Sequence, residues 1–475
     1  MTGTAGKTRR SIALAAAPVF GPAVTLTAGP ASAALPKSQE TAASLRAGTL
    51  GSTHGIHDIC QAEVDGRAID LGCQAQLAGS GRAEAGPLTT AAPVGYGPAE
   101  LNAAYHLPPS TTGPAATVAI VAIVGVGAYP ALEADLGKYR AQYGLPKCDT
   151  TNGCLTITDF KGGPPLRPSP GYAQVEESYA AETALDIDMA SAACPTCKLV
   201  MVQIPLDIGR LLSAAALGLP AALADDFGTA VTHAAKLGAG AVSMSYGLPT
   251  GLQAEYVGTG APAKALHHPG MAVVASSGDK GYNGDKQLWP AQLPWVTAAG
   301  GVSLKIGDHG AVTMSAWGGK FTPKGAKEPK WVGAGSGCAP GLPPAIGQPA
   351  SVSAHCGQHR AVADIAAVAD PLTGVAVYDS YTPHSGTGGG WLTAGGTSAA
   401  APYLAGLYAR AGRLAAVDGP NTLYRAPAGS IQDVTSGGNA QDGVAACKVA
   451  KELCVGGTGW DGPTGLGVPN GLGAF

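Results

Sequence analysis

Past the N-terminal region, the segment Thr117–Val124 reads Thr-Val-Ala-Ile-Val-Ala-Ile-Val, with no polar residue after the threonine. An unbroken apolar run, in place of strict alternation, predicts a strand buried on both faces, as in a parallel sheet. Residues 131–142 then follow a helical pattern, and a second helix is expected at about 178–193, ahead of a strand at Lys198–Ile204. The alternation continues with a helix at Ala224–Lys236 and a strand at Ala241–Met244. A helix at Ala261–His268 and a strand at Met271–Ala275 come next. This order predicts an α/β chain with one mostly parallel central sheet, covered by helices on both faces. From about residue 420 the sequence becomes turn-rich and dense in Gly and Asp.

Residues 34–95 are rich in Ala, Gly, Ser and Thr and hold no long periodic element. They read as a short pro-region or N-terminal extension, ahead of a main domain over 96–475. In front of them, Lys7, Arg9 and Arg10 precede an apolar stretch from Ile12 to about Thr27, then Ala31-Ser32-Ala33. That layout predicts a signal peptide over 1–33, and therefore export. The later apolar runs at 117–128 and 211–225 are too short to span a membrane.

Composition narrows the function. The chain has 475 residues, 71 of them glycine, with 45% apolar and only 13% charged residues and a formal net charge of −3. Loss of the three basic residues of the signal would take the charge from −3 to −6. No basic field exists to grip nucleic acid. The apolar fraction excludes global disorder, and glycine without a three-residue period excludes collagen. The ten cysteines fall into neighbouring pairs: Cys60/Cys73, Cys148/Cys154, Cys194/Cys197, Cys338/Cys356 and Cys447/Cys454. In an exported chain they read as five short disulfide loops. Cys194-Pro-Thr-Cys197 has redox spacing but lacks the strand-to-helix setting of a redox site, and no second such pair exists to complete a zinc site.

Four stretches could carry chemistry. Gly395-Gly396-Thr397-Ser398-Ala399-Ala400-Ala401-Pro402 suits a nucleophile at a buried helix N-terminus, with small residues admitting a substrate backbone and a proline ending the helix early. Ser398 could equally be a helix cap. Glu182 and Asp186 stand four apart, so they share a helix face in small, apolar surroundings. They could also be two solvated acids. Asp279, in Ser276-Ser277-Gly278-Asp279, follows an apolar strand, at the strand end where open α/β sheets place their sites. An Asx turn would explain it as well. None of the ten histidines stands in a context that marks a triad member.

With these residues the chain resembles the sedolisin family, the serine-carboxyl peptidases of subtilisin-like fold, as a secreted member of actinobacterial type. The motifs Glu-x-x-x-Asp, Ser-Ser-Gly-Asp and Gly-Thr-Ser-x-x-x-Pro occur in family order. The stretches Val242–Gly247, Ala298–Ser303 and Ala363–Pro371 also resemble family segments. The resemblance covers Tyr96 to the C-terminus. It implies Ser398 as nucleophile, Glu182 as base, Asp186 as its supporting acid and Asp279 as oxyanion donor beside the Ser398 N–H. It further implies a monomeric endopeptidase acting on protein or peptide substrates in acid, with no nucleic-acid or membrane partner. One structural Ca2+ is implied, held by the Asp433 and Asp461 carboxylates and the Val434, Gly457 and Gly459 carbonyls. The chain departs from the family in four ways: its pro-region is short, no acid stands near the end of its first strand, Leu-Pro-Thr follows Ser245-Tyr246-Gly247, and Val302 stands where threonine is common. Two alternatives remain: an inactive binding or structural protein on a peptidase scaffold, and a histidine-based peptidase, which would need an Asp in the first strand.

Overall fold

The computed structural model describes residues 1, 3, 46–47, 56–59, 61–64, 67–70, 72–78, 92–110, 119–169, 173–207, 221–251, 254–321, 330–381, 389–440, 447 and 450–475. The chain divides into Met1–Gln39 and a second compact unit, Glu40–Phe475. The expected signal lies almost wholly outside the described residues, and all that follows concerns the second unit.

Several short strands precede the main domain, of which β1 (Ile56–Asp58) and β2 (Gln76–Ala78) bear on the site. The central sheet begins with β3 (Ile120–Val126), followed by β4 (Leu155–Asp159), β5 (Lys198–Ile204), β6 (Ala241–Met244) and β7 (Ala272–Ser276). It is completed by β8 (Thr297–Ile306), β9 (Val312–Ala316) and β10 (Ile365–Val368). The spatial order is β9-β8-β7-β6-β3-β5-β4, with β10 also paired to β8. Every pair is parallel except β8–β9. The apolar run behaves as its pattern requires, since Val121, Ala122, Ile123 and Val124 are fully buried. Outside this sheet, β11 (Val375–Asp379) and β12 (Gly390–Gly395) pair antiparallel, and β12 continues through β2 to β1.

The helices that matter for the site are α1 (Leu132–Gln142), α2 (Ala173–Ala193), α3 (Ala221–Lys236) and α4 (Thr397–Ala411). The mostly parallel sheet flanked by helices agrees with the sequence reading. The helix expected at 261–268 differs. It stops at Lys264, and a separate short helix, Ala254–Thr259, precedes it. Gly260 takes an extended conformation between them, and Pro262, which lacks an N–H, is tolerated only in a first turn.

Helices α2 and α4 pack directly on each other. A Cβ on Gly406 of α4 would collide with Ala193 and Ala190 of α2, so glycine permits this close approach. Here the light composition acquires a structural role, since small side chains let two helices bring their polar groups together.

A buried ion pair fastens the sheet beneath. Arg360 and Asp364 are both fully buried and meet through two hydrogen bonds, Nη1–Oδ1 at 2.6 Å and Nη2–Oδ2 at 2.7 Å. Asp364 also accepts from Ala298 N–H and Tyr424 O–H, each at 2.7 Å, which ties β8 to the start of β10. Four of the expected disulfides are present, 148–154, 194–197, 338–356 and 447–454, while Cys60 lies outside the described residues. Among the described residues, no helix is long and apolar enough to cross a membrane.

Candidate active site

Ser398 sits in the first turn of α4, wholly buried, directly after β12 and Gly396. Gly396 has φ +92°, and a Cβ there would strike both Gln74 O and Asp279 Oδ2, so the position demands glycine twice over. The expected early end of this helix at Pro402 does not occur, because α4 runs on to Ala411. Proline instead removes the N–H that would bond the Ser398 carbonyl four residues back. The Ser245 hydroxyl lies 3.3 Å from that carbonyl.

Helix α2 brings Glu182 and Asp186 to the same place, both 0% exposed. Ser245, just past the carboxyl end of β6, donates its hydroxyl to Asp186 Oδ1 at 2.5 Å and accepts the Ser398 hydroxyl on its carbonyl at 3.5 Å. Burial, then the neighbouring Asp186, raise the Glu182 pKa well above the carboxylate range, and Asp279 adds to the rise. The Ser398 side chain lies close enough to oppose it. Among the described residues, neither Glu182 oxygen has a partner at hydrogen-bonding geometry, nor does Asp186 Oδ2. Burial raises Asp186 as well, against the Ser245 hydrogen bond. Two enclosed acids this close cannot both ionise, so the pair retains a proton.

Asp279 follows β7 and completes the group. Its Oδ1 accepts from the N–H and the hydroxyl of Thr397, each at 2.8 Å. Burial pushes its pKa up to about 8, against those two hydrogen bonds. Below neutral pH it is therefore a neutral acid, and among the described residues its Oδ2 has no partner. The four residues singled out by the motifs thus converge from α2, β7 and α4.

Three contributors escaped the motif reading. Ser245 positions Asp186, and Thr397 orients Asp279. Ser245 lies inside the family-like stretch Val242–Gly247, whereas Thr397 carried no signal beyond its place beside Ser398. The third is Gln74, from the N-terminal extension, whose carbonyl accepts the Ser398 backbone N–H at 3.0 Å.

Five of the described histidines have partners away from this site. His106 meets Asn470, His233 Thr158, His267 Asp418, His268 the Ala265 carbonyl and His359 the Leu342 carbonyl. His54 and His384 lie outside the described residues, and β3 has no Asp.

The C-terminal acids form a second cluster. Asp461 is fully buried and accepts from Thr464 N–H (2.9 Å), the Thr464 hydroxyl (2.8 Å) and Gly457 N–H (3.1 Å). Asp433 Oδ2 accepts from Gly459 N–H at 2.8 Å. Burial pushes Asp461 up to about 7, and the charged neighbour acting on it is Asp433, a second acid. Among the described residues, no three Asp, Glu, His or Cys side chains gather as a metal cluster.

Comparison with known proteins shows what the chain is similar to. The model of the subtilase family matches residues 210–425, a span that includes Asp279 and Ser398 but not the acids of α2. Kumamolisin of Bacillus sp. (strain MN-32) is 28% identical over 406 residues, 81% of this chain. The alignment spans 63% of kumamolisin's own length. Pseudomonas sedolisin, a serine-carboxyl proteinase solved with two molecules of pseudo-iodotyrostatin, shares the fold. Its TM-score is 0.57 at 21% identity, over 80% of this chain and 96% of that one. The similarity to kumamolisin and the fold shared with sedolisin support the sedolisin-family reading drawn from the motifs. Neither named relative is actinobacterial, so that detail stays an expectation of the sequence.

Proposed function

We propose that this chain is a secreted, monomeric endopeptidase of the sedolisin family, hydrolysing peptide bonds in acid with Ser398 as nucleophile. The observation that carries this reading is the convergence of Ser398, the buried Glu182/Asp186 pair and a neutral Asp279 with a free Oδ2. In the singly ionised pair, Glu182 accepts the Ser398 proton as Oγ attacks the substrate carbonyl. Asp186, held by Ser245, carries the remaining proton and positions Glu182. Charge then develops on the substrate oxygen. The Ser398 N–H and the protonated Asp279 Oδ2 would donate to it. Acid suits every part: Asp279 stays protonated and a carboxylate can still act as base, whereas a histidine would already be charged. The disulfides favour an oxidising, extracellular setting.

The Asp433/Asp461 cluster fits one Ca2+. Two acids lie together in glycine-rich turns with no cationic side chain acting on Asp461, an arrangement a hard, oxygen-seeking cation relieves. Asp433 and Asp461 would supply carboxylates and Val434, Gly457 and Gly459 carbonyls. The ion would contribute stability by cross-linking the C-terminal turns.

The test is hydrolysis of denatured casein from pH 3 to 8 by the wild type, Ser398→Ala and Glu182→Gln. The expected result is a wild-type maximum below pH 6 and a loss of at least about 10³-fold in each variant. Undiminished activity in Ser398→Ala, or wild-type activity confined to neutral pH, would refute the assignment.

A further inference from the structure

Helix α2 carries acids on two opposite sides. Asp188 follows Asp186 by two residues, which turns it about 200° around the helix axis, away from Ser398. There α2 packs on α1 and β11. Asp188 is 1% exposed, and its Oδ2 accepts the Tyr378 N–H of β11 at 3.1 Å. Among the described residues its Oδ1 has no partner. The cation acting on it is Arg140 of α1, whose hydrogen bonds go elsewhere. Nη1 donates to Ser191 Oγ at 2.6 Å, Nη2 to the Pro195 carbonyl at 2.7 Å and Nε to the Pro146 carbonyl at 2.5 Å.

Two more buried acids meet it. Asp135 of α1 accepts the Ser380 N–H at 2.9 Å and the Ser380 hydroxyl at 2.6 Å. Asp379, at the end of β11, accepts the Tyr381 N–H at 2.9 Å. The Tyr129 hydroxyl lies 2.6 Å from Asp135 Oδ2 and 3.1 Å from Asp379 Oδ1. One phenol carries one hydrogen, so both contacts are filled when an acid supplies the second proton. Burial raises Asp188 well above the carboxylate range, against the Tyr378 N–H. Asp135 and Asp379 add to the rise, and Arg140 opposes it. Burial pushes Asp379 up to about 7, against the Tyr381 N–H, with Asp135 and Glu177 of α2 adding to the rise. The remaining titratable groups that face these acids are the phenols of Tyr129, Tyr139, Tyr143 and Tyr381. Burial raises all four, so they stay neutral and supply no balancing charge.

We propose that Asp188, Asp135 and Asp379 form a proton-sharing joint that positions α2 against β11 in acid and slackens when it ionises. Strand β11 pairs along β12, with Val375 opposite Ala394 and Asp379 opposite Gly390, and β12 leads into Gly396 and Ser398. The joint therefore ties the helix that carries Glu182 and Asp186 to the strand pair that delivers Ser398. Raised carboxyls bind more protons folded than unfolded, so their contribution is complete at low pH. It is lost as pH climbs through about 7. Negative charges then gather with no free cation to answer them, and α2 and β11 part. Asp188 is in this sense a positioning residue that acts through Glu182. The catalytic consequence rests on the peptidase reading above, whereas the joint itself does not.

The full chain bearing Ser398→Ala, chosen to prevent autolysis, is compared at pH 5 and pH 8 with Ser398→Ala/Asp188→Asn/Asp379→Asn. Asparagine keeps an acceptor oxygen at each position and cannot ionise. Amide hydrogen exchange, corrected for the pH dependence of the intrinsic rate, is read at Tyr378 and across β3. Each pH unit over which only the open joint is ionised shifts its opening about tenfold. Tyr378 protection should fall at least about 10-fold in the parent and less than about 2-fold in the triple variant, with β3 unchanged in both. Should the triple variant not fold, Ser398→Ala/Asp379→Asn replaces it, with a fall smaller than the parent's. In the active chain, Asp379→Asn should match wild-type casein hydrolysis at pH 4 and retain more kcat at pH 7, with KM unchanged. Equal loss of Tyr378 protection in parent and variant, an equal fall across β3, or a kcat profile unmoved by Asp379→Asn overturns the proposal. Local, pH-sensitive exchange in a chain that cleaves casein at no pH leaves the joint standing. It removes the peptidase reading, and with it the joint's catalytic consequence.

Discussion

Replacing Asp279 by Asn isolates one titration at the centre of the site. Asparagine keeps an oxygen for the two Thr397 donors and places an N–H where the unpartnered Oδ2 stands, but it cannot ionise. In the folded chain Asp279 has a pKa of about 8, against a reference near 3.8. A raised carboxyl binds more protons folded than unfolded, so its contribution is complete at low pH and is lost as pH climbs towards the folded value. At pH 7 the native group still holds its proton while an unfolded one does not, a span of about 3 pH units at ~1.4 kcal/mol each, or about 4 kcal/mol. Urea unfolding at pH 4 and pH 7 measures this, in a Ser398→Ala background so that proteolysis cannot intrude. The parent should lose stability between the two pH values, and Ser398→Ala/Asp279→Asn should lose about 4 kcal/mol less. Glu182, Asp186, Asp188 and Asp379 are also raised by burial and leave a residual slope in each protein. Equal losses in the two proteins would refute the claim that Asp279 is a neutral, buried acid.

Two further outcomes concern the scaffold. Arg360→Met strands the buried Asp364 carboxylate and should cost about 3–5 kcal/mol, while Arg360→Met/Asp364→Leu should recover much of that loss in a double-mutant cycle. A double variant no more stable than the single one would show that the pair is not coupled as its geometry implies. If the Asp433/Asp461 turns hold Ca2+, excess chelator lowers the melting temperature reversibly, and Asp461→Asn no longer responds. An unchanged melting temperature on chelation would remove the ion from the account.

Much of the framework was legible because it follows from local chemistry. The apolar run before Val124, the alternating strands and helices and the Glu-x-x-x-Asp spacing each report on neighbours a few residues away. Such signals failed where a local cue met a tertiary demand. Pro402 read as a helix end, yet α4 continues through it, because the helix is buried and Ser245 lies beside the carbonyl that proline frees. The helix expected to reach His268 stops at Lys264, an end that apolar periodicity alone does not register.

The sequence by itself determined the sheet, the flanking helices, the disulfide pairs that could be seen and the choice of four candidate side chains. Their spacing could not decide whether Glu182 and Asp186 faced water or one another, since a helix face becomes a site only when another element covers it. The tertiary structure decided that through Gly406, whose missing side chain lets α2 and α4 close until the acids meet Ser398. It also decided the place of the extension. Residues 72–78 carry no periodicity to betray a strand, because their hydrogen bonds go to Ser245, Gly247 and β12, more than 150 residues away along the chain.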